Sequence, residues 1–128
     1  MSVELLVITH NLIGQEMIAT ATSILGDGCQ SIRFISIPAN LEPQNLGACA
    51  DQVKQAIGEL ISDHGVLIMT DIFGATPCNL AGYFAAGLNV KVVSGVNLPM
   101  LVRVLNYCSS DIDQLYTVAI EGAKTGII

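Results

Sequence analysis

Cations are few in this chain. Arg33, Lys54, Lys91, Arg103 and Lys124 are all the lysines and arginines in 128 residues, and they are scattered rather than clustered. With a net charge of −6, the chain has no basic patch for a polyanion, which argues against nucleic acid as a partner. No apolar stretch approaches the roughly 18 residues of a membrane span, and the N-terminus lacks the basic region and small-residue cleavage site of a signal peptide. A cytoplasmic protein is the expectation.

Cys29, Cys49, Cys78 and Cys108 lie far apart, without the close pairs of a zinc site or the density of a disulfide framework. They read as reduced thiols filling apolar space. Neither G-x-G-x-x-G nor G-x-x-x-x-G-K-[ST] occurs, so the fingerprints of dinucleotide and P-loop nucleotide binding are missing. No cofactor is expected.

Apolar residues are abundant. They make up 52% of the chain against 12% charged, enough for a two-sided core with apolar surface left to face another subunit, so a homo-oligomer is expected. Four short apolar runs, Val3 to Thr9, Ser31 to Ile37, Gly65 to Thr70 and Val90 to Ser94, alternate with helix-like stretches. Alternation of this kind predicts an α/β fold, a three-layer doubly wound parallel sheet in which strand order 2-1-3-4 is the natural one. The first, third and fourth runs are nearly continuous in apolar residues, as strands covered on both faces should be. The second interleaves Arg33 and Ser36 with its apolar residues and belongs nearer an edge.

Helices are predicted at about Leu12 to Leu25, Pro43 to Ser62, Pro77 to Ala86, Leu98 to Cys108 and Asp111 to Lys124. Gly26 and Gly28 end the first, Asn97 and Pro99 open the fourth, and Asp111 caps the fifth. Thr125 to Ile128 is an apolar tail expected to pair as an edge strand. The whole chain reads as one domain.

Ligands of open α/β sheets bind beyond the carboxyl ends of the strands. His10, Asp71 and Thr76 stand out among the residues there. If strands one and three are neighbours about 4.8 Å apart, His10 and Asp71 come within hydrogen-bonding reach. The carboxylate would fix the tautomer of the ring and leave its other nitrogen free to attack phosphorus. Taken singly, a strand-end histidine is more often a turn residue and the aspartate a helix cap; side by side they point to chemistry.

Gly74, Ala75, Thr76 and Pro77 form a small-residue turn that opens a helix, where free N–H groups favour an anion. Thr76 reads both as a phosphoryl donor and as the N-cap of a helix starting at Pro77. Asn79 is placed to brace the turn, and Cys78 reads as inert packing. His64 precedes strand three and so lies at the far end of the sheet from His10, which argues against a metal site. Tyr83, Tyr107 and Tyr116 read as ordinary packing in helices.

Thr9 and His10, the stretch from Thr70 to Asn79 and the stretch from Gly95 to Leu101 resemble the mannose-type (mannose/fructose/sorbose) EIIA component of the bacterial phosphoenolpyruvate:sugar phosphotransferase system, along essentially the whole chain. The D-x-x-G-[GA]-[ST]-P-x-N and G-V-N-x-P-M-L patterns carry the likeness. This resemblance implies a phosphocarrier: His10 accepts a phosphoryl group from HPr and passes it to an EIIB component, with Asp71 orienting the ring. Thr76 and the backbone amides of Asn11, Gly74 and Ala75 would hold the phosphoryl oxygens, with no metal required. Asn11 stands where the family commonly has glycine. The resemblance also implies a homodimer in which Thr125 to Ile128 is a short antiparallel strand exchanged between subunits, and a protein at most peripheral to a membrane permease. No fused EIIB domain is expected after residue 128. A regulatory phosphoprotein of a truncated system, read by a partner without sugar transport, and a small-molecule binder are the other functions compatible with these residues.

Overall fold

The computed structural model describes residues 2–26 and 32–128. Gly28, Cys29 and Ser31 lie outside the described residues. The elements in chain order are β1 (Glu4–His10), α1 (Ile13–Leu25), β2 (Arg33–Ile37), a 3-10 turn (Pro43–Asn45), α2 (Leu46–Leu60), β3 (Val66–Thr70), α3 (Thr76–Ala85), β4 (Val90–Ser94), α4 (Leu98–Asn106) and α5 (Ile112–Thr125). The four strands form one parallel sheet in the order β2-β1-β3-β4, the predicted topology, with the half-polar β2 at an edge.

Alternate strand residues feed two cores. Leu5 and Val7 of β1 join Leu67 and Met69 of β3 beneath Ala21 of α1, Met100, Leu101 and Val104 of α4, and Leu115 and Ala119 of α5. Leu6 and Ile8 join Val66 and Ile68 beneath Val53, Ala56 and Ile57 of α2 and Ala81 of α3. Period-2 side chains on strands with helices over both faces account for the continuous apolar runs.

Three of the predicted caps behave as expected. Gly26 ends α1 at φ 73°, Asn97 Oδ1 accepts from Met100 N–H at 2.9 Å, and Asp111 Oδ1 accepts from Gln114 N–H at 2.8 Å. The stretch opening at Pro43 divides into the 3-10 turn and α2, and it ends at Leu60 because Ile61 is already extended.

The tail departs from expectation. Thr125 belongs to α5, and no strand forms at Gly126–Ile128 on this chain. Helical bonding continues past it, with Gly126 N–H donating to Gly122 O at 3.2 Å. A Cβ on Gly126 would stand 2.4 Å from Pro99 Cβ, so the glycine seats the chain end directly against the first turn of α4.

The aromatic and thiol readings are also revised. Tyr83 is 77% exposed and Tyr107 follows the end of α4, so neither is core; Tyr116 lies under the Lys91 ammonium at 5.4 Å. Cys49 and Cys78 are free thiols, whereas Cys108 is disulfide-bonded. Spacing along a chain does not govern which cysteines a fold brings together. No helix among the described residues is long and apolar enough to cross a membrane.

Candidate functional site

Parallel strands deliver their C-terminal residues to one end of the sheet. Ile8 is in register with Thr70, so His10, the last residue of β1, and Asp71, the first residue after β3, meet there. One oxygen, Asp71 Oδ2, accepts the backbone N–H of His10 at 2.9 Å and its ring Nδ1–H at 2.8 Å. The other, Oδ1, accepts Ile72 N–H at 2.8 Å. Burial of the carboxyl pushes its pKa up, but the hydrogen bonds from the His10 backbone, the His10 ring and the Ile72 backbone outweigh it, and the group lies below its ordinary value. An ionised carboxylate only accepts, so the ring proton sits on Nδ1 and Nε2 carries the lone pair. The His10 side chain is 25% exposed and that of Asp71 13%, which opens the ring to a reactant while sheltering its partner.

Local sequence fixes His10 from the other side. Thr9 is buried, and its hydroxyl accepts Gly14 N–H at 2.9 Å, one of the first-turn donors of α1 that otherwise has no intrahelical acceptor. Only a glycine fits at this contact: a Cβ on Gly14 would come within 2.7 Å of Thr9 Oγ1. Sequence reasoning placed Thr9 at the end of the first strand without seeing this capping role.

Thr76 lies beside His10. The two line a cleft of about 290 Å³ walled by Pro38, Ala39, Leu41 and Glu42, and no lysine or arginine lines it among the described residues. Thr76 is the first residue of α3, not its N-cap, because the chain reaches helical geometry one residue earlier than expected; Ala75 is the cap residue. Its hydroxyl makes no hydrogen bond among the described residues and is left to bond an incoming group. Asn79 Nδ2 donates to Gly74 O at 2.9 Å, the brace expected from sequence.

Backbone donors are distributed differently from the sequence reading. Asn11 N–H donates to Ile37 O at 2.8 Å, and Ala75 N–H to Ile72 O at 3.3 Å. Gly74 N–H makes no backbone hydrogen bond among the described residues, and the Gly74 backbone helps lower the pKa of the Cys78 thiol. The free first-turn amides of α3 are therefore those of Thr76 and Cys78, which make no bond among the described residues. Sequence cannot show this, because turn closure consumes amides according to backbone angles rather than residue type.

Cys78 is more than a filler. Ser94 Oγ donates to its Sγ at 3.3 Å, and Thr70 Oγ1 lies 2.9 Å from Ser94 Oγ. Burial raises the thiol, yet the hydrogen bonds from Ser94, the Gly74 backbone and Thr70 prevail over burial and over the Asp71 charge, leaving its pKa below the ordinary thiol value. His64, in contrast, borders a separate cleft with Val3, Asp63 and Asp111 at the start of the strands, remote from His10 as expected. Among the described residues no group of three or more potential ligands could hold a metal ion.

Comparison with known proteins places the fold in a family. The chain is 25% identical over 130 residues to the PTS system mannose-specific EIIAB component of Escherichia coli (strain K12), an alignment covering 99% of this chain and 39% of that protein. It is 40% identical over 74 residues to the PTS system fructose-specific EIIA component of Bacillus subtilis (strain 168), covering 57% of this chain and 50% of that one. The chain thus spans half or less of the length of these relatives. The fold superposes on the mannose/sorbose specific IIA subunit of the phosphotransferase system from Enterococcus faecalis with a TM-score of 0.82 at 21% identity, over 100% of this chain and 94% of that one. The EIIA component from Streptococcus agalactiae superposes with a TM-score of 0.78 at 20% identity, over 98% and 95%. Residues 4–119 match the family described as the PTS system fructose IIA component. The strand-end histidine, its carboxylate and the loop opening α3 therefore sit on a chain that belongs to the EIIA-man family of the sugar phosphotransferase system.

Proposed function

We propose that this chain is a cytoplasmic phosphocarrier that takes a phosphoryl group from phospho-HPr on His10 Nε2 and passes it to an EIIB component during sugar uptake. The observation that carries this reading is the 2.8 Å contact of Nδ1 with Asp71, which leaves the opposite nitrogen bare at the mouth of the cleft shared with Thr76. In the acceptance step Nε2 forms a P–N bond as the P–N bond of the donor phosphohistidine breaks, and the donor ring keeps the electron pair. The acceptor ring gains positive charge, which the Asp71 carboxylate balances across the Nδ1–H. The Thr76 hydroxyl and the free amides of Thr76 and Cys78 bond the phosphoryl oxygens at the positive end of α3. Gly74 and Ala75 shape that turn, and Asn11 keeps only its side-chain N–H groups for an anion.

Transfer between two histidines is nearly balanced in energy, so the site has to position the group and spread its charge. Among the described residues the cleft brings no cation of its own, and the partner supplies it. The chain works as a homodimer in this reading: β4 is an edge strand, and the exposed Ile127 and Ile128 at the chain's tail are offered as a short strand to the β4 edge of a second subunit.

Incubation with phosphoenolpyruvate, enzyme I and HPr, followed by intact-mass measurement, tests the carrier reading. One added phosphate on the wild type and none on His10→Ala is the expected result. An unmodified wild type, or equal labelling of the variant, would refute it.

A further inference from the structure

Asn11 is the one non-glycine residue with positive φ among the described residues, at 49°. Asparagine tolerates this left-handed region better than most residues, at some cost that a glycine would avoid. Its bonds show what the side chain contributes in return.

His10 pairs with Ile37 at the end of the β1–β2 ladder. Asn11 N–H then donates to Ile37 O at 2.8 Å, one rung further. In a parallel ladder the next rung would run from Ala39 N–H to the main-chain oxygen of Asn11. That rung is made instead by the side chain, with Ala39 N–H donating to Asn11 Oδ1 at 3.0 Å. The amide orientation is unambiguous, since a backbone N–H needs an acceptor. Asn11 therefore closes the ladder with its side chain while its main chain turns into α1.

Pro38 and Ala39 are a wall of the cleft that contains His10 and Thr76. We infer that Asn11 is a positioning residue: its side-chain carbonyl ties this wall to the residue following His10 and presets the cleft for a phosphorylated partner. The inference rests on the carrier reading. A glycine at this position would relax the backbone and leave Ala39 N–H to water, so the wall would have to be ordered anew at each docking event, which weakens encounter rather than chemistry.

The test uses Asn11→Gly and Asn11→Asp in the full chain, with phospho-HPr as donor and phosphoramidate as an independent small donor. Asn11→Gly is expected to speed hydrogen exchange of the Ala39 amide and to raise the KM for phospho-HPr about five-fold, the size of one net hydrogen bond, with a smaller change in kcat. Asn11→Asp keeps an acceptor oxygen at the same reach and is expected to retain Ala39 protection. A wild-type KM in Asn11→Gly, or Ala39 exchange unchanged in that variant, would overturn the positioning role while leaving the carrier reading intact. A wild type labelled by neither donor overturns the carrier reading, and this inference with it.

Discussion

A single oxygen of Asp71 holds both the main chain and the ring of His10, at 2.9 and 2.8 Å. Two donors from one residue on one acceptor leave the imidazole little freedom: the backbone bond fixes where the ring begins and the Nδ1 bond fixes how it is turned. Ile72 N–H on the second oxygen locks the carboxylate plane in turn. Orientation, tautomer and charge balance thus come from one side chain.

Asp71→Asn is expected to fold and to slow phosphoryl acceptance on the order of ten- to a hundredfold, the usual cost of removing a group that orients a functional histidine. The variant amide can still contact the ring but cannot balance its charge. Rapid-quench measurement of the phosphorylated fraction checks this, and a rate equal to wild type would reassign Asp71 to a structural role.

The same carboxylate makes the fold acid-sensitive. Its folded pKa lies below the ordinary value, so its contribution to stability is present above the unfolded-state pKa of about 3.9 and is lost as pH falls through the lower folded value. Urea titrations from pH 6 to pH 3 should therefore show a steeper loss of stability for the wild type than for Asp71→Asn, which has no such group to protonate.

Gly14→Ala should destabilise the protein despite the better helix propensity of alanine, worth about 1 kcal/mol. The added Cβ would meet Thr9 Oγ1 at 2.7 Å and Val7 Cγ1 at 3.0 Å, and overpacking of this kind costs about 1–3 kcal/mol. Loss of the Thr9 cap adds about 1 kcal/mol. Thermal unfolding is expected to show a Tm lowered by a few degrees.

Cys78 should react with iodoacetamide at a lower pH than an ordinary thiol, since Ser94, the Gly74 backbone and Thr70 stabilise its thiolate. Ser94→Ala removes the 3.3 Å donor and should move the rate profile of Cys78 toward higher pH. Mass spectrometry of labelled peptides would separate it from Cys49.

Much of this was legible in the residues. Continuous apolar runs give away parallel strands because both faces are covered, and the strand order follows from them together with the expected doubly wound topology. His10, Asp71 and Asn79 were found because parallel strands gather their C-terminal ends. What escaped depends on exact backbone angles and on distant neighbours. The amides of Asn11 and Ala75 are drawn into ladder and turn bonds, and no residue type announces that. Ser94 reaches Cys78 only because β4 lies beside β3. Thr125 was assigned to the tail because its apolar neighbours suit a strand, whereas helical bonding and the close seat of Gly126 on Pro99 carry α5 through it.

That seat has a practical consequence. Pro99 lies in the first turn of α4, just beyond the end of β4, so Gly126 sits on the same side of the sheet as His10. Ser2 and Val3 instead border the cleft near His64, at the opposite side. A fluorophore or surface tether attached ahead of β1 would therefore report on partner exchange without crowding it. In the carrier reading, the same label placed beside Gly126 would stand on the face that receives the phosphoryl donor and compete with it.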